Sequence, residues 1–413
     1  MIILFLTSGL FLGWSLGAND AANVFGSAVG SKMISFWKAA IIASVFVILG
    51  AVFQGSGTSE TLSKLGAVNA LGGSFTVALA AAVTVYLMVK FSIPVSSTQS
   101  IVGAIIGWNL FTGNTTDRSV LTQIVTTWVA GPVLGAIFAV ILVSILMKIK
   151  KKAGIHLIRF ESYIRTSLII AGAFGAYSLG ANNIANVMGV FVPAFNLQEL
   201  SFGFFTLSSP QQLFLLGGLA IAAGILSYSG KVMQVVGSSI VELSSEAALV
   251  VVLSQGIVLF LFSSSGISEF LKNNGLFPLP LVPVSSTQVV IGSIIGIGFY
   301  KGARNINFRL LGSIGAGWLI TPVFSGLLAC LTLYFVKNVF SVDVGSRNST
   351  GTISGITEGS ANISDASASG ILGYFIIGVL IVGVISLLLY YILERKKKIE
   401  FQRSEEKFWK YLK

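Results

Sequence analysis

Long apolar stretches, broken only by brief polar loops, follow one another along nearly the whole chain. The stretches are apolar all round rather than on one face, so each calls for surroundings that are apolar on every side. Most are about the length needed to cross roughly 30 Å of hydrocarbon as a helix. Eleven spans are expected, at about 1–29, 39–55, 74–91, 94–112, 119–147, 166–193, 210–229, 246–266, 281–299, 310–336 and 371–393. The expected fold class is an all-α polytopic membrane protein with the lipid bilayer as its solvent. The run 1–16 has no basic segment ahead of its apolar residues and continues into a polar phrase, so it reads as half of a helix rather than a signal peptide. Residues 341–370 break the pattern. They are rich in Ser, Gly and Thr and read as a flexible outer loop before an added last helix.

Polar residues inside the apolar stretches are not scattered. GANDAANVFG at 17–26 returns as GANNIANVMG at 180–189, with seven of ten positions identical. PVSSTQSIVGAIIG at 94–107 returns as PVSSTQVVIGSIIG at 283–296, with ten of fourteen identical. Trp128 and Pro132 are echoed by Trp318 and Pro322. The order of these pieces divides the chain into a first repeat (1–150), a basic cytoplasmic linker (151–165), a second repeat (166–337), the outer loop (338–370), and a last helix with a basic tail (371–413). Each repeat has five spans, so the second enters the membrane in the opposite sense. Two inverted five-helix repeats with discontinuous helices are the outline of a secondary transporter. The stretch 266–282, ahead of the second PVSSTQ, reads as a surface helix or loop.

Composition agrees with the pattern. The chain is 54% hydrophobic and 10% charged, with a mean hydropathy of +0.88. A soluble domain carries about 25% charged residues. The net charge of +11 is no sign of nucleic-acid binding, because the basic residues lie in short loops and in the tail. With the N-terminus outside, only Lys64, Arg118, Lys272, Lys337 and Arg347 fall on the outer side, leaving 21 of 26 Lys and Arg inside. The positive-inside rule therefore orients the chain with its C-terminus cytoplasmic, in a plasma or bacterial inner membrane. One cysteine, Cys330, permits no intrachain disulfide, and one histidine, His156, lies in a basic loop. There is no nucleophile–base set, so an enzyme is not expected, and neither is a covalently bound cofactor.

The duplicated phrases carry the chemistry. A carboxylate within a bilayer, such as Asp20, is costly and normally faces a partner or a water-filled cavity. Asn19 and Asn23 flank it, and the second copy supplies Asn182, Asn183 and Asn186. The bland reading of both copies is helix packing through small residues with amides as interhelical hydrogen bonds. It accounts poorly for Asp20. Pro94 and Pro283 suit the first turn of a helix, whose N–H groups are unpaired. Ser96, Ser97, Thr98 and Gln99, and again Ser285, Ser286, Thr287 and Gln288, surround those groups with hydroxyls and amides. Two such helix starts facing each other would grip a small tetrahedral anion. The same oxygens, with Asp20 and the Asn side chains, could coordinate Na⁺. Glu60 and Glu246 lie at membrane edges and are weaker candidates for an additional cation site.

Together these phrases resemble the inorganic phosphate transporter family, the sodium- or proton-coupled phosphate symporters. GANDAAN and GANNIAN look like the family's GAND signatures, and the two PVSSTQ phrases look like its second motif. The resemblance implies a phosphate site between inverted repeats. That site would be built from Asp20, Asn23, Ser96, Ser97 and Thr98 in the first half, and Asn183, Asn186, Ser285, Ser286 and Thr287 in the second. Two positions depart from the pattern. Asn183 stands where many members have Asp, and Gln99 and Gln288 stand where many have His. The second departure removes titratable groups and favours Na⁺ over H⁺ as coupling ion. The expected activity is import of inorganic phosphate with Na⁺ by alternating access. A proton-coupled phosphate or metal–phosphate symporter, a sulfate permease and an anion channel remain as alternatives. A homodimer is entertained as the assembled form.

Overall fold

The computed structural model describes residues 2–66, 68–90, 95–153, 156–201, 206–239, 244–302 and 308–345. The expected last span at 371–393, the tail and most of the Ser/Gly/Thr-rich loop lie outside the described residues, as does Pro94. Twelve α-helices are described, in the order α1(Ile2–Gly30), α2(Phe36–Gln54), α3(Ser56–Gly66), α4(Leu71–Lys90), α5(Ser97–Thr112) and α6(Arg118–Ala153), then α7(Leu157–Met188), α8(Ser209–Ser239), α9(Ser245–Ser263), α10(Ser265–Asn273), α11(Ser286–Tyr300) and α12(Phe308–Phe340). Two two-residue strands, β1(Leu200–Ser201) and β2(Thr206–Leu207), form a small sheet. The short stretch that holds β1 belongs to a second unit, distinct from the one formed by the helices.

Among the described residues, seven helices are long and apolar enough to cross a membrane: α2, α4, α6, α7, α8, α9 and α12. Among the other expected spans, α1 is a 29-residue helix that carries the first polar phrase. The spans expected at 94–112 and 281–299 are shorter helices, α5 and α11, of 16 and 15 residues. At 1.5 Å per residue each covers only about 22–24 Å. Both begin late for the same reason. Ser96 and Ser285 are extended, and their hydroxyls accept from the backbone N–H of Gln99 and Gln288, which caps the helix there. The expected basic linker is mostly helical: α6 runs to Ala153 and α7 starts at Leu157. The expected surface element at 266–282 contains α10, which buries none of its residues.

Helix packing is reciprocal between the halves. Helix α1 packs along α8, and α7 along α2. Helix α5 packs along α12, and α11 along α6. Glycines permit these close approaches. A Cβ at Gly17 would overlap the Ile221 carbonyl on α8, and one at Gly180 would overlap the Val47 carbonyl on α2. Likewise, a Cβ at Gly103 would strike Pro322, and one at Gly292 would strike Pro132. These are equivalent positions in the repeated phrases, so the small residues follow from backbone contact between helices. On the outside, α6 exposes Val125, Val129, Val133, Ile137, Ile141, Ile145 and Ile149, one every four residues. Such a stripe suits lipid rather than water.

Candidate functional site

Asp20 and Asn183 occupy the same place in the two copies of the first phrase, and the structure brings them together. Asn183 Nδ2 donates to Asp20 Oδ2 at 2.7 Å. Each also takes a bond from the preceding residue: Asn19 Nδ2 donates to Asp20 Oδ1 at 2.9 Å, and Asn182 Nδ2 to Asn183 Oδ1 at 2.9 Å. Ser97 Oγ donates to Asp20 Oδ2 at 3.3 Å, and the Ser286 hydroxyl reaches the same carboxylate. Asp20 is 1% exposed. The two ion pairs among the described residues, Lys64–Glu60 and Lys150–Glu246, do not include it. Its partners are neutral donors.

The starts of α5 and α11 meet at this carboxylate. Thr98 Oγ1 donates to the Val284 carbonyl at 3.4 Å, and Thr287 Oγ1 donates to the Val95 carbonyl at 3.2 Å. Each hydroxyl thus reaches the extended lead of the other phrase. The amides of the first phrase cross over as well. Asn23 Nδ2 donates to Ser286 Oγ at 3.2 Å and to Thr287 Oγ1 at 3.4 Å, while Asn186 Nδ2 donates to Thr98 Oγ1 at 3.0 Å. Asn182 brackets Val284, donating to its carbonyl at 2.8 Å and accepting from its N–H at 2.7 Å. Asn182, Asn186 and Thr98 are fully buried, whereas their counterparts Asn19, Asn23 and Thr287 are half-buried.

Three buried oxygens at these phrases have no donor among the described residues: Gln99 Oε1, Gln288 Oε1 and Asn186 Oδ1. An unpaired buried acceptor costs about 1–3 kcal/mol. Unpaired acceptors on the same phrases that hold the Asp20 carboxylate fit a site that receives a cation or an O–H group. Of the candidates from the sequence, the structure gathers Asp20, Asn19, Asn23, Asn182, Asn183, Asn186, Ser97, Thr98, Ser286 and Thr287 into one hydrogen-bonded cluster. Ser96 and Ser285 cap its helices, and Gln99 and Gln288 form the first turns. Glu60 and Glu246 are not brought to it. Glu60 is exposed and pairs with Lys64 one turn on, at 2.7 Å. Glu246 opens α9 and pairs with Lys150 at the end of α6, also at 2.7 Å. Sequence reasoning missed the carbonyls of Val95 and Val284, because backbone acceptors carry no side-chain signal.

The family model described as "Phosphate transporter family" matches residues 16–160 and 149–329. The chain belongs to this family. It is a family of transporters rather than of enzymes, and the seven apolar helices make this member a multi-pass membrane protein. Relatives include a "Putative phosphate permease" from Pyrococcus horikoshii, 26% identical over 403 residues, covering 79% of this chain and 96% of the relative. Another from Methanocaldococcus jannaschii is 26% identical over 320 residues, covering 78% and 93%. Among solved structures, "The sodium-dependent phosphate transporter" superposes with a TM-score of 0.64 at 24% identity, covering 81% of this chain and 98% of that one. The phosphate transporter fold therefore extends over nearly all of the described helices.

Proposed function

We propose that this phosphate transporter imports inorganic phosphate together with Na⁺, by alternating access between two inverted repeats, residues 1–150 and 166–337. The observation that carries the reading is the meeting of two capped helix starts at the Asp20 carboxylate. N–H groups and hydroxyls suit the oxygens of a tetrahedral anion. Asp20 and the unpaired amide oxygens suit a hard monovalent cation. A carboxylate and a phosphate repel each other, so a cation between them allows both to occupy one site. The solved structure this chain resembles, a sodium-dependent phosphate transporter, supports Na⁺ as that cation. The anion's identity is supported by the unpaired acceptors. Phosphate near neutral pH carries a proton that can be donated to Gln99, Gln288 or Asn186, whereas sulfate has none.

The inverted repeat is supported by reciprocal packing. Under an exchange of halves, α1 on α8 becomes α7 on α2, and α5 on α12 becomes α11 on α6. Alternating access is supported by the unequal burial of matched residues. Asn23 and Thr287 are half-buried, while Asn186 and Thr98 are sealed. With the N-terminus outside, α1 descends and Asn23 lies on the cytoplasmic side of Asp20. The greater exposure of Asn23 and Thr287 than of Asn186 and Thr98 supports a site more open on the inward side. One test is uptake of radiolabelled phosphate into proteoliposomes under a Na⁺ gradient, with excess unlabelled phosphate or sulfate. Competition by phosphate alone supports the assignment. Equal competition by sulfate removes the phosphate specificity.

A further inference from the structure

Gln255 is completely buried in the middle of α9, and neither its Nε2 nor its Oε1 has a partner among the described residues. An amide left bare on both atoms in a bilayer protein is costly and calls for an occupant. Helix α9 packs against α1, α7 and α11, which carry Asp20, Asn183 and Ser286. Val251, four residues before Gln255, belongs to an apolar cluster with Val290 and Ile297 of α11 and with Ala139 and Val143 of α6. Val252, three residues earlier, meets Gly175 of α7 where Val24 of α1 also converges. Positions three and four apart share a helix face, so Gln255 lies between those two contacts, one turn further on.

Correspondence between the repeats gives a second line of placement. Phe11 on α1 lies 6.4 Å from Tyr86 on α4, and Phe174 on α7 lies 5.5 Å from Phe260 on α9. Counting five residues back from Tyr86 and from Phe260 gives Ala81 as the counterpart of Gln255. The Ala81 carbonyl accepts from Ser100 Oγ of α5 at 3.1 Å. Ser100 corresponds to Val289, next to Gln288 at the start of α11. By that correspondence the second half carries an amide at the helix position where the first half has a methyl group. It is also the half in which Asn183 replaces a carboxylate.

We infer that Gln255 is a further ligand of the coupling cation, its Oε1 supplying a neutral oxygen on the side of the site that lacks an acid. The inference rests on the Na⁺-coupled reading above. Purified protein is titrated with radioactive Na⁺ by scintillation proximity, and phosphate half-saturation is measured in proteoliposomes at saturating Na⁺. In Gln255→Leu the Na⁺ concentration for half-occupancy rises about tenfold, the scale of one buried interaction lost. Phosphate half-saturation stays within about twofold, and Gln255→Glu keeps tight Na⁺ binding because it keeps the oxygen. The Leu variant removes an unpaired amide and so melts no lower than the wild type; Gln255→Ala, which copies the first half, provides a second variant. Unchanged Na⁺ binding in both apolar variants overturns the inference, as does a change confined to phosphate. A wild type that binds no Na⁺ overturns the coupling reading itself, a distinguishable failure.

Discussion

Single side chains set the chemistry of the site. Asp20 is buried, has no cationic partner among the described ion pairs, and takes hydrogen bonds from Asn19, Ser97 and Asn183. Those donors hold the carboxylate in place but do not neutralise it. Asp20→Asn is expected to reduce Na⁺-driven uptake by about 10–100-fold, the range for a hydrogen-bonded charged group. Na⁺ activation curves on the variant provide the check, and unchanged activation would remove Asp20 from the cation site. Asn183→Asp would set a second carboxylate 2.7 Å from the first. Like charges at that distance cannot both stay ionised without a counter-ion. Uptake by this variant is expected to depend more steeply on Na⁺ than wild-type uptake does. Thr98→Val and Thr287→Val each remove a hydroxyl that bridges the two phrases. Each is expected to raise the phosphate concentration for half-maximal uptake by roughly tenfold, in line with one or two lost hydrogen bonds.

Among the helices, two motifs place the site: glycines where backbones cross, and serine caps where α5 and α11 begin. Gly103→Val would drive a side chain into Pro322, and Gly292→Val would do the same at Pro132. Each is expected to destabilise the fold by about 1–3 kcal/mol, read as a lower thermal midpoint of the purified protein. Similar losses at the two positions are the expected outcome, because the contacts are equivalent. Much of this level was legible in the sequence. Apolar runs gave the spanning helices, and the duplicated phrases identified the residues that gather around Asp20. The late start of α11 was less visible, since 279–284 is apolar, yet Pro280, Pro283 and the cap at Ser285 delay the helix until Ser286. Glu60 and Glu246 stand apart from the Asp20 cluster for a physical reason: both have lysine partners, one a turn away and the other on a different helix. The Val95 and Val284 carbonyls depend on the meeting of distant segments, which local pattern does not encode.

At the scale of the whole molecule, the proposed alternating access rests on unequal exposure of matched residues. Matched residues differ in exposure, with Asn23 and Thr287 half-buried and Asn186 and Thr98 sealed. In a background where Cys330 is replaced by Ser, Asn23→Cys is expected to react with a thiol reagent from the cytoplasmic side, whereas Asn186→Cys is protected. Equal labelling of both would contradict a site open on one side only. The Na⁺-coupled account is tested most directly by uptake of radiolabelled phosphate into proteoliposomes holding the purified protein. An inward Na⁺ gradient is compared with an inward K⁺ gradient at fixed pH. The account predicts concentrative uptake with Na⁺ and none above the passive level with K⁺; equal uptake in both would contradict it.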